Sequence, residues 1–479
     1  MHTQSTHTDF GWTSALRALD AGLSAVEELA WGVRRAASAG RGAVEDRTRA
    51  VDRARKVGQT VLHAAVAYRF HQTRAAFSSN ASADRALQRL HKRQARRFRQ
   101  RCEELGGAFL KVGQLLSSRP DLVPEPWITE LSRLRDAAPH EPWPAIRSAV
   151  ADLDLATIDE VPVAAASIGQ VHRARTAAGD EIALKIQRPD IEQRVVADLT
   201  FLKELIRALG EQLPLANPEQ VAIEISDAVM EELDYGLEAL RMGRCAAYFA
   251  DVPGVLVPTP LPALSSSTVL AATYEDGVPI TDALDRLASA RAQGDEEAAD
   301  EIDRLLDTVF DAWLRMVLDL GLFQADPHPG NLLVNEAGEL IILDYGCAAD
   351  VDLETRAAYG SFLAAMLAND REGMGASLER LGFRTESGRT DTLMEFADLL
   401  LGHARDALTG EATWPSGEEL LAQAAAATNL AARDPIVHMP DGFVMLARVF
   451  GTLGGLFLTY RPRRLGTRTL ATLATHLGS

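Results

Sequence analysis

The chain has 479 residues, of which 47% are apolar and 24% are charged, and this is enough apolar material for two or three domains. Three widely spaced cysteines exclude a disulfide framework, and the net charge of −18 argues against a nucleic-acid partner. The sequence shows no leader-like segment near Met1 and no uncharged apolar stretch of about 20 residues. A cytoplasmic protein without a membrane span is therefore expected.

The first predicted domain, residues 1–104, is a helical extension rich in Ala and Arg. Within it, residues 51–101 carry thirteen Lys and Arg against two acids, so this stretch has a local charge of +11. Three interpretations of the basic stretch stay open: a solvated helix face, a clamp on the acidic remainder of the chain, and a peripheral anchor on an anionic membrane.

The second predicted domain, residues 105–150, is a segment punctuated by Gly, Pro and Leu. The third, residues 151–275, begins with two strand-like runs that are joined by the turn residues Ala-Ala-Gly-Asp, and then becomes helical. Asn217 followed by Pro is typical of a helix start. A β-branched and apolar run at 268–273 predicts one more strand.

The fourth predicted domain, residues 276–479, is mainly helical. Strand-like runs at 332–334 and 340–343 flank a turn, and from residue 350 onward the pattern is helical throughout. The run 443–460 predicts a helix that contains Arg448. Four polar residues recur at intervals of four within an apolar run and predict one polar stripe on a buried helix: Asp307, Asp311, Arg315 and Asp319.

Basic, acidic and amide side chains stand in a consistent order along these domains. Lys185 lies in an apolar strand, and Glu238 lies on the later helix that begins at Asn217. Asp326 and Asn331 are five residues apart directly after a buried helix, and Asp344 is followed by Tyr-Gly. We treat the lysine, the glutamate, the two aspartates and the asparagine as one candidate constellation.

These residue types are the ones that phosphoryl transfer requires. A lysine neutralises nucleotide phosphates and an acid holds that lysine, an Asp and an Asn bind metal ions, and a second Asp orients the attacking group. The pattern Asp-x-x-x-x-Asn, followed thirteen residues later by Asp-aromatic-Gly, matches the catalytic loop of protein kinases. The sequence therefore predicts a kinase-like site that binds ATP and Mg²⁺.

Each piece also has a plainer explanation when it is considered alone. A strand lysine such as Lys185 often protects a sheet edge, and Asp326 and Asn331 are common turn residues. His328 in the same loop suggests a metal ligand, but a hydrogen bond that braces the loop is the favoured explanation. Because the pieces occur together and in order, the phosphoryl-transfer interpretation is favoured for the set.

The Gly-rich loop of kinases is replaced here by an Ala-rich run. Residues 163–171 read Val-Ala-Ala-Ala-Ser-Ile-Gly-Gln-Val, and the Ala-Ala-Ala-Ser part, taken alone, is typical of a helix start. Glycine lets backbone N–H groups approach phosphates through conformations that a Cβ disfavours. Alanines in place of two glycines are expected to stiffen the loop and to change how a triphosphate binds.

The sequence resembles the UbiB (AarF-type) family of atypical, ADCK-type kinases from about residue 105 to about residue 462. The resemblance implies a bilobal, kinase-like α+β fold with a helical N-terminal extension and a largely helical C-lobe. It also implies ATP and Mg²⁺ binding, ATPase or small-molecule kinase activity tied to isoprenoid quinone lipids, and association with membrane surfaces. The segments that carry the resemblance are 105–114 with 118–121, 164–172, 183–189, 232–235 with 238–239, 325–331 and 344–346.

The resemblance also implies roles for individual residues. Lys185 is the nucleotide lysine and Glu238 its acid, Asp326 holds the catalytic-loop position, and Asn331 and Asp344 are metal ligands. The implied nucleotide-binding set is Lys185 with Ala164, Ala165, Ala166, Ser167, Gly169, Lys111, Gln114, Glu232 and Asp234.

In this family the segment with Lys111 and Gln114 folds over the cleft and meets the pair Glu232 and Asp234. On one unbroken helix from Asn217, these two acids would point in nearly opposite directions. Either the helix is disturbed near residues 235–236 or the two acids have different partners, and we expect the latter. Nothing after the Asp-Tyr-Gly turn looks like an activation loop, which argues against a protein substrate. The resemblance implies an isoprenoid or other lipid as the substrate.

Three positions depart from the family pattern. Thr273 and Arg241 stand where the family usually has Glu and Asn, and Gln324 replaces the usual His. The phosphate and metal positions are intact, so an atypical kinase or ATPase is the main hypothesis. The resemblance implies that this enzyme is peripheral on the inner face of the membrane. The alternative is a non-catalytic, nucleotide-binding pseudokinase that acts as a scaffold or switch.

Overall fold

The computed structural model describes most of the chain, with gaps. It describes residues 44–75, 79–117, 123–134, 140–165, 168–209, 218–395, 397, 414–415, 433–440, 442–464 and scattered positions in 419–430 and 466–472. Several predicted features lie outside the described residues, namely Ala166 and Ser167 of the Ala-rich run, Asn217 at the predicted helix start, and the run 118–121.

The chain divides into two compact units. Unit 1 takes in Met1–Gly179, Ala183–Asp234 and Ser267–Val269, and unit 2 takes in Asp180–Ile182, Tyr235–Ser266 and Leu270–Ser479. The described helices of unit 1 are α1 (Val44–Ala75), α2 (Asn80–Leu105), α3 (Gly107–Ser117), α4 (Glu125–Leu131), α5 (Trp143–Ile146), α6 (Ile191–Leu209) and α7 (Pro218–Glu231).

Unit 1 contains most of a five-stranded sheet. Its strands are β1 (Leu155–Ile158), β2 (Ala164–Ala165), β3 (Gly169–Thr176) and β4 (Glu181–Gln187, whose first two residues belong to unit 2), and β1 and β2 both run antiparallel to β3. Strand β4 follows β3 in the sheet order. It buries Leu184 and Ile186 on one face, as the alternation of side chains along a strand requires.

The helices of unit 1 are joined by polar contacts as well as by apolar packing. The Arg53 guanidinium on α1 forms an ion pair of 2.5 Å with Asp198 on α6 and also donates to the Leu105 carbonyl at the end of α2. Burial raises the pKa of the Asp198 carboxyl, although the Arg53 charge acts in the opposite direction. These contacts hold three helices of the unit against one another.

Unit 2 is largely helical. Its described helices are α8 (Tyr235–Phe249), α9 (Ile280–Ala292), α10 (Glu296–Arg315, continued by a π turn over Met316–Leu320), α11 (Leu353–Leu367), α12 (Arg371–Leu381) and α13 (Phe443–Tyr460). Its described strands are β5 (Val255–Leu256), β6 (Val269–Thr273, whose first residue belongs to unit 1), β7 (Val278–Pro279), β8 (Leu322–Gln324), β9 (Leu332–Val334), β10 (Leu340–Ile342), β11 (Ala348–Asp350), β12 (Arg384–Thr385) and β13 (Ile436–His438).

Short sheets and one buried helix organise unit 2. A four-stranded sheet has the order β5-β10-β9-β7, and β11 pairs with β8. In the second half of α10 the apolar side chains are almost all buried, and Trp313 is the largest of them. The predicted polar stripe lies on this helix, and its members Asp307 and Asp311 are buried as well.

Several predicted elements are present, and one regional prediction is wrong. The strands near 268–273, 332–334 and 340–343 occur as β6, β9 and β10, and the predicted helix 443–460 is α13. The region after residue 350 is not helical throughout, because β12 pairs antiparallel with β13. Among the described residues, no helix has both the length and the apolar character needed to cross a membrane.

Candidate active site

Lys185 lies on an interior strand of the sheet in unit 1. It stands half-buried on β4, on the face opposite Leu184 and Ile186. Strand β4 has β3 on one side, and on its other side the Gln187 N–H donates to the Thr268 carbonyl. Because β4 is not an edge strand, protection of a sheet edge does not explain this lysine.

The Ala-rich run forms part of a short β-ladder in unit 1. Ala164 and Ala165 make up β2 and pair with Val171 and Gln170 of β3, which begins at Gly169. The interpretation of these two alanines as a helix start is therefore wrong. Strands β2 and β3 are consecutive and antiparallel, and the rest of the Ala-rich run connects them in the chain. The Gly-rich loop of a kinase likewise precedes the strand that carries the nucleotide lysine, which is β4 here.

A buried polar network that we did not predict adjoins β3 in unit 1. Gln170 accepts from the Glu141 N–H through its amide oxygen and donates through its amide nitrogen to the Glu141 carbonyl. The same nitrogen lies 2.9 Å from His172 Nε2, and His172 Nδ1 donates to the Asp159 carbonyl, which fixes the tautomer. Arg188 completes the network through its ion pair with Glu141.

The polar groups of this network alternate along β3, because Gln170 and His172 are two residues apart. Both side chains are buried, at 1% and 0% exposure. Polar side chains at strand period on a buried face require hydrogen-bond partners. That pattern is the signal in the sequence that could have revealed the network, although it does not name the partners.

Lys111 and Glu232 form an ion pair within unit 1. The Lys111 Nζ on α3 lies 2.6 Å from a Glu232 carboxylate oxygen, and the two side chains are 16% and 22% exposed. Gln114 lies half-buried on the same helix. The structure therefore brings together the lysine of the candidate lid segment and one of its two predicted acids.

The chain between residues 218 and 249 is not one unbroken helix, so the alternative that we did not favour, a disturbance of the helix close to residues 235–236, is the one present. Helix α7 ends at Glu231, residues 232–234 lie between the helices, and α8 begins at Tyr235. The directions of Glu232 and Asp234 therefore do not follow helical spacing. The prediction that Glu238 lies on the helix that begins at Asn217 is wrong for the same reason.

Glu238 lies in the first turn of α8 in unit 2. Its side chain is 2% exposed. A carboxylate near a helix N-terminus is stabilised by the unpaired backbone N–H groups there. Lys185 belongs to unit 1, and the pairing of these two residues stays a prediction.

The loop that carries Asp326 is fixed by hydrogen bonds inside unit 2. Gln324 is fully buried, and its amide oxygen accepts from the Asp326 N–H while its amide nitrogen donates to the Asp326 carbonyl. The Asn331 amide nitrogen donates to the same carbonyl over 3.1 Å. His328 Nδ1 accepts from the Gly330 N–H, so this histidine braces its own loop.

Asn331 and Asp344 lie at the same end of the β9–β10 hairpin. The register pairs Leu332 with Ile342, and the Leu343 N–H donates to the Asn331 carbonyl over 2.8 Å. Asp344 has a φ of +58°, and one of its carboxylate oxygens accepts from the Gly346 N–H. A left-handed aspartate is uncommon, and such strained positions cluster at functional sites.

Side chains packed behind the Asp-Tyr-Gly turn are deeply buried. Tyr345 is 0% exposed and lies next to Cys245 of α8. Burial raises the pKa of the Tyr345 hydroxyl well above its ordinary value and raises the pKa of the Cys245 thiol to about 12. Both groups are therefore neutral at physiological pH and anchor the turn through packing.

The connection from the Asp-Tyr-Gly turn to the next helix is short. Residues Ala348–Asp350 pair with β8, and α11 begins at Leu353, capped by the Asp352 side chain, which accepts from two backbone N–H groups. This leaves no room between residues 346 and 353 for a long loop of the kind that protein kinases use to bind peptide substrates.

The oxygen donors of unit 2 fit a magnesium ion. Magnesium prefers oxygen ligands and is usually held by one or two carboxylates together with substrate phosphates. Because the Asn331 nitrogen is committed to the Asp326 carbonyl, the amide oxygen is the atom that remains for a cation. Asp344 supplies a carboxylate, and its bond to Gly346 fixes the orientation of that group.

Comparisons with known proteins agree with this arrangement. The profile of the ABC1 atypical kinase-like domain matches residues 148–378. Activity of BC1 complex kinase 3, a chloroplastic protein of Arabidopsis thaliana, is 32% identical over 307 residues, which cover 62% of this chain and 42% of that protein. Protein slr0889 of Synechocystis sp. is 30% identical over 324 residues, which cover 62% of this chain and 78% of that protein.

A solved structure is also similar. The complex of Rv3197 with erythromycin, from Mycobacterium tuberculosis, has a TM-score of 0.55 and 25% identity, and the match covers 75% of this chain and 91% of that one. The class defined by the fold is therefore the kinase-like α+β class, as predicted.

The chain belongs to the ABC1 family of atypical kinases, which is the UbiB or AarF-type family. The predicted family is thus confirmed. The matches span 42% to 67% of the length of six of the curated relatives, the Arabidopsis protein among them. The chain therefore corresponds to only part of those proteins.

Proposed function

We propose that the protein is an atypical kinase or ATPase that binds Mg-ATP and transfers the terminal phosphoryl group to a small acceptor. The observation that carries the proposal is the arrangement of Asp326, Asn331 and Asp344 in unit 2. The Asn331 amide donates to the Asp326 carbonyl and so holds the loop of that residue, and Asn331 and Asp344 lie at the same end of the β9–β10 hairpin. Phosphoryl transfer needs groups of this kind.

The roles of the residues follow from their chemistry. The family resemblance assigns Lys185 to nucleotide phosphate and Glu238 to the acid position of the family, and we propose these same roles for the two residues. Asn331 and Asp344 hold magnesium through oxygen atoms, and the ion, when bound, neutralises charge on the phosphates. Asp326 accepts a hydrogen bond from the acceptor hydroxyl or water and takes its proton. The bond from the γ-phosphorus to its bridging oxygen breaks, a bond to the acceptor oxygen forms, and ADP leaves.

A small or lipid-like acceptor suits the chain better than a protein does. The short connection from Gly346 to α11 offers no loop for a peptide. The ion pair between Lys111 and Glu232 joins the two parts of the candidate lid, and the family resemblance implies that such a lid excludes a protein substrate. That Rv3197 forms a complex with erythromycin agrees with a small organic molecule. We propose an isoprenoid or another lipid in quinone metabolism as the acceptor.

An anionic membrane surface, at the cytoplasmic face, is the proposed place of action. Helix α2 presents a row of exposed basic side chains, none of which pairs with an acid in the described part of the chain: Arg85, Arg89, Lys92, Arg93, Arg96 and Arg97. We call this row the α2 basic row. Each Lys or Arg near an anionic bilayer contributes about 1 kcal/mol to binding.

The first experiment compares wild type with Asp344→Asn for ATP binding and turnover. Wild type is expected to gain thermal stability with Mg-ATP, by about 2.7 kcal/mol at a hundred times the dissociation constant. Asp344→Asn is expected to lose most of that gain and about 10²-fold of the turnover, because one magnesium ligand is gone. Asp350→Asn, an exposed aspartate that pairs with Arg244, is the matched control and should behave as wild type.

Two results would change the proposal. Absence of any stabilisation of wild type by Mg-ATP would reject nucleotide binding. The second result concerns ATP turnover measured with phospholipid and detergent. If wild type binds nucleotide but its turnover stays at background, as does that of Asp344→Asn and Ala164→Gly, the protein is a nucleotide-binding pseudokinase and not an enzyme.

A further inference from the structure

A cation from a distant segment contacts the carboxylate at the catalytic-loop position. The Arg448 Nη2 on α13 lies 2.9 Å from Asp326 Oδ1. The side chains are 24% and 27% exposed, so the pair is neither fully buried nor open to water. Both residues belong to unit 2, and more than a hundred positions separate them in the chain.

The catalytic loop itself supplies no cation at this position. Between Asp326 and Asn331 the loop reads Pro-His-Pro-Gly, and the ring nitrogen Nδ1 of His328 accepts from the Gly330 N–H. Among the described residues, Arg448 is the one basic side chain in an ion pair with Asp326. The positive charge beside the carboxylate therefore comes from α13.

Arg448 is also the single charged residue of α13, whose other seventeen residues are apolar, Gly or Thr, apart from the terminal Tyr. A guanidinium has five N–H donors in a planar fork that fits phosphate oxygens. In the described part of the chain its side chain makes one polar contact, the pair with Asp326. A guanidinium that uses one N–H group on Asp326 has further N–H donors to offer a ligand beside that carboxylate.

We propose that Arg448 binds the phosphoryl group while it is transferred, held in place by its ion pair with Asp326. The inference rests on the proposed function. Asp326 faces the attacking oxygen, so the phosphorus that this oxygen attacks lies within a few ångströms of the guanidinium. As the bond to ADP breaks and the bond to the acceptor forms, negative charge spreads over the three equatorial oxygens, and a fixed cation stabilises it.

The test uses Mg-ADP with aluminium fluoride, a mimic of the transferred phosphoryl group. Wild type is expected to gain more thermal stability from Mg-ADP with aluminium fluoride than from Mg-ADP alone. Arg448→Gln is expected to lose this increment and to keep the shift with Mg-ADP. Arg448→Lys should recover part of the increment, because lysine keeps the charge but not the planar fork.

Turnover gives a second readout. Arg448→Gln is expected to lower kcat by about 10²–10³-fold with the KM for ATP nearly unchanged, as removal of a transition-state donor does. The matched control is Arg389→Gln, which removes an exposed arginine that also pairs with an aspartate, Asp391, in the same unit. It should leave kcat and the aluminium fluoride increment as in wild type.

The outcomes separate the two proposals. If wild type binds Mg-ADP and turns over ATP while Arg448→Gln keeps both the increment and kcat, the inference is overturned and the proposed function stands. If Mg-ATP does not stabilise wild type at all, the proposed function fails and the inference fails with it. Should Arg448→Gln not fold, Arg448→Met removes the charge while keeping an unbranched side chain in the apolar helix, and wild-type values of both readouts in that variant would overturn the inference.

Discussion

At the scale of single residues, the buried carboxylates of α10 show what the polar stripe does. Asp307 Oδ1 accepts from the Gly466 N–H and the Thr469 hydroxyl, and Oδ2 accepts from the Arg468 N–H, over 2.9 to 3.0 Å. One turn further on, Asp311 accepts from Thr472 and from Arg315. Asp307 and Asp311 of the stripe therefore hold the described residues of 466–472 against α10 by hydrogen bonds.

Replacing Asp307 with Asn is expected to destabilise the protein. The amide keeps the shape but turns one acceptor into a donor that faces another donor, and it removes the charge that strengthens the three hydrogen bonds. Hydrogen bonds to charged groups are worth about 1.5–3 kcal/mol each, so a loss of about 2–4 kcal/mol in the free energy of unfolding is expected. Urea denaturation measures it.

Asp300→Asn is the matched control for that substitution. Asp300 lies on the same helix and pairs with Arg463, but its side chain is 76% exposed. Exposed ion pairs contribute little to stability. A midpoint for Asp307→Asn as close to wild type as that of Asp300→Asn would contradict the docking role.

The candidate site was predicted from the sequence to the extent that its geometry is local. Asn331 and Asp344 meet because they flank one hairpin, and the spacing of the motif already implies that. The part proposed for Arg448 depends on a helix far along the chain, and spacing carries no information about it. A single charge in an apolar helix implies that some partner exists, but it does not say which one, and we predicted no partner for it from the sequence.

At the scale of elements, α3 illustrates how a glycine fixes the approach of two segments. A Cβ on Gly113 would overlap the Leu134 Cδ1 and would lie 3.2 Å from the Cys102 Sγ on α2. The helix therefore packs closely on this side because residue 113 lacks a side chain. Its neighbours Lys111 and Gln114 belong to the candidate lid, so the packing also positions those residues.

Gly113→Ala is expected to lower stability although alanine favours helices. The gain in helix propensity is about 1 kcal/mol, and overpacking costs about 1–3 kcal/mol. The net effect should be a lower melting temperature in a thermal scan. The Leu134→Ala substitution removes the overlapping atoms. Gly113→Ala should therefore lower the melting temperature less in a Leu134→Ala protein than in wild type.

Gly360→Ala, in the middle of α11, tests the same exchange without the clash. A Cβ there would meet no atom within 4 Å. The substitution is expected to raise stability by up to about 1 kcal/mol. Equal melting temperatures for the two alanine variants would refute the packing argument.

The sequence leaves one feature of the elements as an open alternative and does not reveal another. A disturbed helix near residues 235–236 is one of the two alternatives that the sequence allows, and the structure has a three-residue break between α7 and α8 just before that point. The strands β12 and β13 are two and three residues long and lie some fifty residues apart, so neither shows an alternating pattern. The pairing of β12 with β13 depends on residues far apart in the chain. The break at 232–234 also has long-range contacts, because Lys111 pairs with Glu232 and the Gln187 side chain donates to the Leu233 carbonyl.

At the scale of the whole molecule, charge is distributed unevenly along the chain. The net charge is −18, yet residues 51–101 are strongly basic. The members of the α2 basic row recur at intervals of three, four or one residue from 85 to 97, which places them on one side of the helix. His91, Gln94 and Ala95 are buried on the other side. A basic surface on an acidic protein favours an anionic partner.

Neutralising the α2 basic row is expected to weaken binding to anionic vesicles. In the triple variant Arg89→Gln, Arg93→Gln, Arg97→Gln, each lost charge removes about 1 kcal/mol, so the partition coefficient should fall by about 10²-fold. Wild type should bind phosphatidylserine-containing vesicles in sedimentation and release them at high salt, because salt screens exposed charges. Vesicles of phosphatidylcholine alone should retain little protein.

The control carries the same number of lost charges at other places in unit 1. Arg133, Arg147 and Arg175 are exposed and lie outside the α2 basic row. Their replacement by Gln changes the net charge equally, so a general effect of charge would weaken both variants to the same degree. Only a loss confined to the triple variant of α2 supports a membrane-facing row. Wild-type binding that is equal on charged and neutral vesicles would leave the row as a solvated helix face.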